Sequence, residues 1–134
     1  WALARAGVTD ITVINRSARS RELAPLLEPL GATFRFAGFD SDLLTAARQA
    51  DVIVSTVPSV AVEGVEQALA HAPILDVIYE PWPTPLTVAA AANGYLTVGG
   101  HVMLAHQAFG QFEQFTGRPA PREAMRRALE ASLG

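Results

Sequence analysis

Short apolar runs alternate with helical stretches along the whole chain. Continuous apolar runs are typical of parallel strands buried on both faces, and helices usually connect such strands. The alternation therefore predicts an α/β fold, a Rossmann-like, doubly wound parallel sheet with helices on both faces. The predicted strands cover residues 10–15, 32–39, 51–58, 73–79 and 95–100, and the predicted helices cover residues 20–31, 40–50, 62–72, 84–94, 101–117 and 120–133.

Glycines and capping residues mark the expected ends of these helices. Gly31, Gly94 and Gly117 stand where C-terminal caps are expected, because glycine readily adopts the left-handed backbone that ends many helices. Asp40 and Thr84 stand where N-caps are expected, because their side-chain oxygens can accept hydrogen bonds from the free N–H groups of a first turn.

The beginning of the chain bears on the completeness of the sheet. The letters WALARAG are typical of the last turns of a helix that ends at Gly7. In a dinucleotide-binding sheet the first strand lies centrally, in the order 3-2-1-4-5-6. If residues 10–15 form the second strand, the central strand and its glycine-rich loop precede Trp1. We therefore expect a domain that is incomplete at its N-terminus, within a longer polypeptide.

Composition argues against several classes of function. The net charge of −3 over 134 residues disfavours a nucleic-acid partner, and the absence of cysteine excludes disulfides and thiolate metal sites. No apolar run reaches the roughly 18 residues that a membrane span needs. These observations predict a soluble, cytoplasmic protein without nucleic-acid or membrane partners. All ten basic residues are arginine, so any chemistry that requires lysine must come from elsewhere.

A cluster of arginines and serines, NRSARSR, follows the first predicted strand. In the dinucleotide-binding fold the tip of the second strand meets the adenosine ribose, where neutral and basic residues in place of an acid make room for the 2′-phosphate of NADP. Asn15 can bond a ribose hydroxyl, Arg16 can stack on adenine and reach the phosphate, and Ser17 adds a hydroxyl. Arg19 or Arg21 could add a second charge. The same residues also fit a solvated helix start, and the cluster alone does not decide between the two.

Three further segments end at the carboxyl edge of the predicted sheet, where ligands bind in open α/β folds. The strand over 51–58 ends in Ser-Thr-Val-Pro, and the next strand ends in Tyr79 before a proline-rich loop. The last strand ends in two glycines that lead directly into a helix. On that helix Gly100, Met103 and Gln107 share one face, because spacings of three and seven residues return to the same side.

Together these segments resemble the shikimate dehydrogenase family, NADP-linked enzymes that reduce 3-dehydroshikimate. The resemblance rests on five segments in family order, namely NRS, ADVIVSTVP, DVIYEPWPTPL, GG followed by ML and QA, and QFEQFTG. It covers essentially the whole chain and implies an NADP-binding domain fragment over residues 1–134, with C-terminal helices over about 101–134. The chain departs from the pattern at Val102, where members often carry glycine, so the backbone there must accept a β-branched residue.

The resemblance implies that these positions bind the cofactor and the substrate. The positions that match the family's NADP contacts are Asn15, Arg16 and Ser17 at the adenosine phosphate, Thr56 and Val57 at the ribose and pyrophosphate, and Val77, Gly100 and Met103 at the nicotinamide. Two others match substrate contacts: Tyr79, and Gln107, whose counterpart hydrogen-bonds a ring hydroxyl.

By the same resemblance, the activity is reversible hydride transfer between NADPH and 3-dehydroshikimate, in aromatic amino-acid (chorismate) biosynthesis. The family's catalytic lysine and aspartate belong to an N-terminal substrate domain, and this chain contains no lysine. We therefore expect no catalytic residue here and no activity from the chain alone. Two alternatives stay open, a quinate/shikimate dehydrogenase that uses NAD and a non-catalytic nucleotide-binding fragment. The sequence also leaves a monomer and a homodimer open.

The remaining candidates favour structural roles. The histidines do not have the spacing of a zinc site, so no metal is expected. The charged residues of the last predicted helix are expected to form a solvated face. Three aromatic residues of the helix over 101–117 are expected to pack in the core: Phe109, Phe112 and Phe115.

Overall fold

The structure is a computed structural model that describes residues 1–17, 25, 29 and 31–133. The chain divides into two compact units, Trp1–Leu43 and Leu44–Gly134. Every described strand pair is parallel, and helices lie between the strands in sequence, so the predicted parallel α/β architecture is confirmed. The helix predicted over 20–31 lies largely outside the described residues.

The first unit contains a short helix and a two-stranded sheet. Helix α1 (Ala2–Arg5) precedes Gly7, whose φ of +94° ends it as predicted. Strands β1 (Asp10–Ile14) and β2 (Thr33–Ala37) pair along their full length, within two residues of the predicted boundaries. Both begin by alternating exposed and half-buried side chains, which is how strands rich in β-branched and aromatic residues cover one face of a core.

The second unit is built around a three-stranded parallel sheet in the order β3-β4-β5. Residue Ser55 pairs with Asp76, and Asp76 pairs with Gly99, so the three strands end at the same level. The elements from the unit boundary onward are α2 (Leu43–Gln49), β3 (Ile53–Ser55), a 3₁₀ helix (Ser59–Val62), α3 (Glu66–Leu69), β4 (Ile74–Asp76), α4 (Pro85–Ala92), β5 (Thr97–Gly99), α5 (Gly100–Thr116) and α6 (Arg122–Ser132).

Helix α4 supplies much of the core of this unit. Its residues Leu86 and Ala90 are almost fully buried, as is Ile74 of the central strand. Complete burial of a leucine or isoleucine side chain contributes roughly 1.5–3 kcal/mol, so these contacts hold the helix on the sheet. The N-cap predicted at Thr84 is confirmed, because its Oγ1 accepts from Thr87 N at 3.3 Å.

The C-terminal glycine caps are also confirmed. Gly94 follows the end of α4 with φ +84°, and Gly117 ends α5 with φ +66°. These left-handed conformations are strained for any residue with a side chain, which explains glycine at both positions. Gly31 also has a positive φ, +71°, but the segment that it was predicted to cap lies outside the described residues.

Several boundary predictions are wrong, and two of them concern the ends of helices. The continuous helix predicted over 62–72 is instead a 3₁₀ helix that ends at Val62, followed by the short α3. Gly64 lies between them with φ +83°, a backbone conformation that interrupts a right-handed helix. Asp40 is not an N-cap, because it lies in a turn and α2 begins three residues later.

The phenylalanines of α5 divide between core and solvent. Phe109 is 3% exposed and Phe112 is half-buried, whereas Phe115 is 86% exposed, so the prediction of core packing is wrong for Phe115. Phe115 lies six residues after Phe109, so the two side chains are about a third of a turn apart around the helix axis. Within the described part of the chain, no helix has the length and apolar composition needed to cross a membrane.

Candidate functional site

A pocket of about 280 Å³ lies at the carboxyl end of β1 in the first unit. Its described lining combines the polar residues that follow β1 with the end of β2 and contains no carboxylate: Val13, Asn15, Arg16, Ser17, Phe36, Ala37 and Gly38. The structure therefore brings Asn15, Arg16 and Ser17 together at one opening. Arg19, the fourth predicted residue of this cluster, lies outside the described residues.

The backbone and side chain of Asn15 fix the start of this polar segment. Asn15 N donates to Ala37 O at 3.1 Å and so extends the β1–β2 ladder by one residue. Asn15 Oδ1 accepts from Arg16 N at 2.8 Å, which turns the chain away from the strand. Arg16 and Ser17 are exposed. An exposed guanidinium beside a hydroxyl is suited to an anion, although the carboxylate of Asp40 lies against Gly38 at the other side of the lining.

The level ends of β3, β4 and β5 form an edge in the second unit, and the predicted residues Thr56, Val57, Val77 and Gly100 follow these strands directly. Val77 N donates to Ser55 O at 3.0 Å, so the pairing of β3 and β4 extends one residue past the strands. Thr56 is exposed and Val57 is half-buried. Ser55 Oγ is buried and has no hydrogen-bond partner among the described residues.

Gly100 and the segment after β4 touch through their backbones. Gly100 N donates to Ile78 O at 3.0 Å. A Cβ placed on Gly100 would collide with the carbonyl oxygen of Val77 and would lie 2.5 Å from its carbonyl carbon. Only glycine permits this approach, so the backbones of Val77 and Gly100 lie in direct contact.

The carboxylate of Asp76 accepts hydrogen bonds from residues near both ends of the loop that follows β4. Asp76 is 2% exposed; its Oδ1 accepts from Ile78 N at 3.1 Å, and its Oδ2 accepts from Thr84 Oγ1 at 2.8 Å. Thr87 Oγ1 in turn donates to Thr84 O at 2.9 Å. These hydrogen bonds satisfy a carboxylate that would be costly to bury without them. We name residues 77–83 the β4–α4 loop.

A second contact holds the end of the β4–α4 loop that precedes α4. The rings of Trp82 and His101 meet edge to face, with centroids 5.4 Å apart and an interplanar angle of 67°. His101 lies in the first turn of α5, immediately after Gly100. The loop is therefore held by the hydrogen bonds to Asp76 at the end of β4 and by the contact between Trp82 and His101 at the start of α5.

The predicted residues of the loop and α5 differ in exposure. Tyr79 is 46% exposed, Gln107 is exposed and Met103 is half-buried. Val102, where the family pattern has glycine, lies within the regular helix α5, and no described residue other than glycine has a positive φ. The valine is accommodated because the helical backbone there needs no glycine conformation. No group of three or more His, Cys, Asp or Glu side chains among the described residues could hold a metal.

Comparison with known proteins relates this chain to one family. The model of the shikimate 5′-dehydrogenase C-terminal domain matches residues 100–130. The shikimate dehydrogenase (NADP(+)) of Symbiobacterium thermophilum is 33% identical over 98% of this chain and 49% of its own length. The crystal structure of Mycobacterium tuberculosis shikimate dehydrogenase is 49% identical with a TM-score of 0.89, over 96% of this chain and 50% of that chain. Over nearly its whole length the chain is thus similar to about half of a shikimate dehydrogenase.

A solved structure with another name is similar to the chain as well. Quinate dehydrogenase from Corynebacterium glutamicum, solved in complex with NAD, is 28% identical with a TM-score of 0.81, over 97% of this chain and 49% of that chain. The present chain spans about half the length of the shikimate dehydrogenases that it matches.

Sequence reasoning missed the residues that shape the β4–α4 loop. Asp76 stands within an apolar run and was not singled out, and Thr84 was predicted only as a helix cap. An acid inside an otherwise apolar strand is the signal that could have drawn attention to Asp76, because a buried carboxylate needs partners. Trp82 and His101 carried no comparable signal.

Proposed function

We propose that this chain supplies the cofactor-binding part of an NADP-dependent shikimate dehydrogenase. The enzyme would transfer hydride reversibly between NADPH and 3-dehydroshikimate, in the biosynthesis of chorismate and the aromatic amino acids. The observation that carries the proposal is the group Asn15, Arg16 and Ser17 at one pocket, in a chain similar over nearly its whole length to half of a shikimate dehydrogenase.

The first unit is assigned the adenosine phosphate end of the cofactor. An acidic residue at the tip of this strand would bond the ribose hydroxyls of NAD and repel a 2′-phosphate. Asn15 instead offers an amide, and Arg16 a planar cation that can bond the phosphate with two N–H groups. Ser17 adds a hydroxyl donor, and Arg19 is proposed as a second cation. These groups favour NADP over NAD.

The second unit is assigned the remaining cofactor contacts and the substrate. Bound NADPH would supply the hydride, and this chain would orient the ring that carries it. The exposed Thr56 and half-buried Val57 are proposed to lie along the ribose and pyrophosphate, with the backbones of Val77 and Gly100 beside the nicotinamide. Met103 is proposed to pack on that ring. The exposed side chains of Tyr79 and Gln107 are proposed to contact the substrate.

Replacing Arg16 tests the proposal. In the complete protein, Arg16→Ala should raise the KM for NADPH roughly 10- to 100-fold, because a hydrogen bond to a charged group contributes about 1.5–3 kcal/mol. The KM for NADH should rise far less, because NADH shares the adenine on which Arg16 can stack but has no 2′-phosphate for Arg16 to bind. Steady-state kinetics with both cofactors measure the two values.

Arg35→Ala is the matched control for this experiment. Arg35 belongs to the same unit and pairs with Asp10 at 3.3 Å on an exposed surface, outside the described lining of the pocket. Its removal should leave both KM values near those of the wild type, because exposed ion pairs contribute little. Equal effects of Arg16→Ala on NADPH and NADH would refute the assignment of the phosphate site.

The second candidate is a quinate/shikimate dehydrogenase that uses NAD. It is favoured by the likeness to the Corynebacterium glutamicum quinate dehydrogenase, which was solved with NAD. A higher kcat/KM with NAD and quinate than with NADP and shikimate would select this candidate. A complete protein that binds nucleotide but oxidises neither shikimate nor quinate would instead favour the non-catalytic alternative.

Several earlier expectations stay predictions. They are the single NADP-binding domain over residues 1–134, the cytoplasmic location, the absence of nucleic-acid and membrane partners, and the choice between monomer and homodimer. The inactivity of the chain alone is also a prediction. It follows from the lack of lysine, since the family's acid–base lysine must then come from outside these 134 residues.

A further inference from the structure

One buried carboxylate joins the two ends of the β4–α4 loop. Asp76 accepts from Ile78 N, near the start of the loop, and from Thr84 Oγ1, immediately after its end. Because Asp76 is 2% exposed and Thr84 is 1% exposed, water competes little for these hydrogen bonds. The segment between them cannot widen without breaking one bond to the carboxylate.

The loop in turn supports the backbone that faces Gly100. Ile78 uses its N–H for Asp76 and its carbonyl for Gly100 N, so a single peptide segment links the carboxylate to the start of α5. Val77 O lies against Gly100 Cα with no room for a side chain between them. Tyr79 follows directly on this segment and is 46% exposed.

We propose that Asp76 is a positioning residue, whose hydrogen bonds to Ile78 N and Thr84 Oγ1 set the place of Val77, Ile78 and Tyr79 and thereby the nicotinamide end of the cofactor site. This inference rests on the proposed function. The expected effect on binding is limited to the nicotinamide end of the cofactor, because the adenosine phosphate end is assigned to residues of the other unit. Loss of the bond to Thr84 should therefore weaken the binding of NADPH more than that of a ligand without nicotinamide.

Three threonine variants separate positioning from stability. Thr84→Val keeps the shape of the side chain and removes the hydroxyl that donates to Asp76, and Thr84→Ser restores that hydroxyl. Thr87→Val is the matched control. Thr87 is equally buried in the same helical turn and bonds Thr84, but no described hydrogen bond joins it to Asp76.

The measurement is the dissociation constant of each variant of the complete protein for NADPH and for adenosine 2′,5′-bisphosphate, at a temperature where circular dichroism shows every variant folded. Thr84→Val should weaken NADPH binding about tenfold, the effect of one charge-assisted hydrogen bond, and leave adenosine 2′,5′-bisphosphate unchanged. Thr84→Ser and Thr87→Val should bind both ligands like the wild type.

The outcomes separate this inference from the proposed function. If the wild type binds neither ligand, the proposed function fails and the positioning role fails with it. If the wild type binds both ligands and Thr84→Val either leaves both constants unchanged or weakens both equally, only the positioning role is overturned. Equal losses in Thr84→Val and Thr87→Val would also overturn it, because the cause would then be a general loss of the threonine hydrogen bonds in the first turn of α4 and not the bond to Asp76. Should Thr84→Val not fold, Asp76→Ala, which removes both acceptors, is measured in the same way, and wild-type binding of NADPH by it overturns the role.

Discussion

Close backbone contact makes Gly100 the most constrained of the predicted site residues. Its N–H bonds Ile78 O, and its Cα faces Val77 O without room for a Cβ. The sequence analysis assigned Gly100 to the cofactor site from the family resemblance and from its place between a strand and a helix. It could not supply the reason, because the obstructing carbonyl belongs to a residue 23 positions earlier in the chain.

Gly100→Ala should destabilise the protein by about 1–3 kcal/mol, because the added methyl forces the two backbones apart. Denaturant unfolding measures the change. Gly110→Ala, in the same helix, is the control: a Cβ there meets nothing within 4 Å, so alanine should stabilise the helix by up to about 1 kcal/mol. A Gly100→Ala protein as stable as the wild type would contradict the crowding described above.

The role of Asp76 shows the limit of sequence reasoning at a single residue. The sequence around Asp76 predicted only that it belongs to a strand. Its partner Thr84 is eight residues away, across a loop whose path is not determined by local propensities. The capping role of Thr84 was predictable, because a threonine before a proline at a helix start is a local pattern. Its second hydrogen bond, to Asp76, was not.

The junction between α5 and α6 depends on Glu113. Its Oε1 accepts from Ala120 N at 3.2 Å and from Arg122 at 3.5 Å, and the Arg122 guanidinium lies 5.6 Å from the ring centre of Phe109. The solvated face expected for the last helix is confirmed, because Arg122, Glu123 and Arg126 are all exposed; Arg122 also pairs with Glu113 of the preceding helix.

Glu113→Ala should therefore loosen α6. We expect a loss of about 1 kcal/mol in the free energy of unfolding and faster hydrogen exchange of the α6 amides, because a backbone N–H and a guanidinium lose their acceptor. Glu123→Ala is the control, since it removes only an exposed pair at 3.7 Å worth about 0.5 kcal/mol or less. Unchanged exchange in α6 after Glu113→Ala would show that other contacts hold this helix.

Element boundaries were less predictable than element types. The strand predicted over 51–58 is only Ile53–Ser55, because the apolar letters continue past the last residue that can pair with β4. The prediction of a helix over 62–72 took no account of Gly64, whose positive φ interrupts a right-handed helix. Apolar periodicity reports which side chains are buried, and the backbone turns that end an element are set by tertiary contacts.

At the scale of the molecule, the alternation of strands and helices was sufficient to predict parallel sheets. Alternation constrains connections strongly, since parallel strands need a crossover of a dozen or more residues. The match to the shikimate dehydrogenase family agrees with that architecture over nearly the whole chain. What alternation could not reveal is how each polar side chain near the strand ends is used.

Cofactor binding should stabilise the whole protein. On the proposed function, NADP⁺ at about 100 times its Kd should add about 2.7 kcal/mol to the free energy of unfolding, and NAD⁺ at the same concentration should add less. Thermal unfolding with each nucleotide measures the difference as a shift in Tm. The Arg16→Ala protein should lose most of the preference for NADP⁺, and an equal shift with both nucleotides in the wild type would contradict the proposed selectivity.

The level ends of β3, β4 and β5 have a consequence for how this protein can be changed. Inserting one residue inside any of these three-residue strands would move the side chains after the insertion to the opposite face of the sheet. It would also shift the last residue of that strand out of register with the last residues of the other two; these three residues are Ser55, Asp76 and Gly99. Insertions after those residues leave the alignment intact. The segments beyond this boundary can therefore vary in length, so the proposed substrate preference can be altered there while the sheet stays the same.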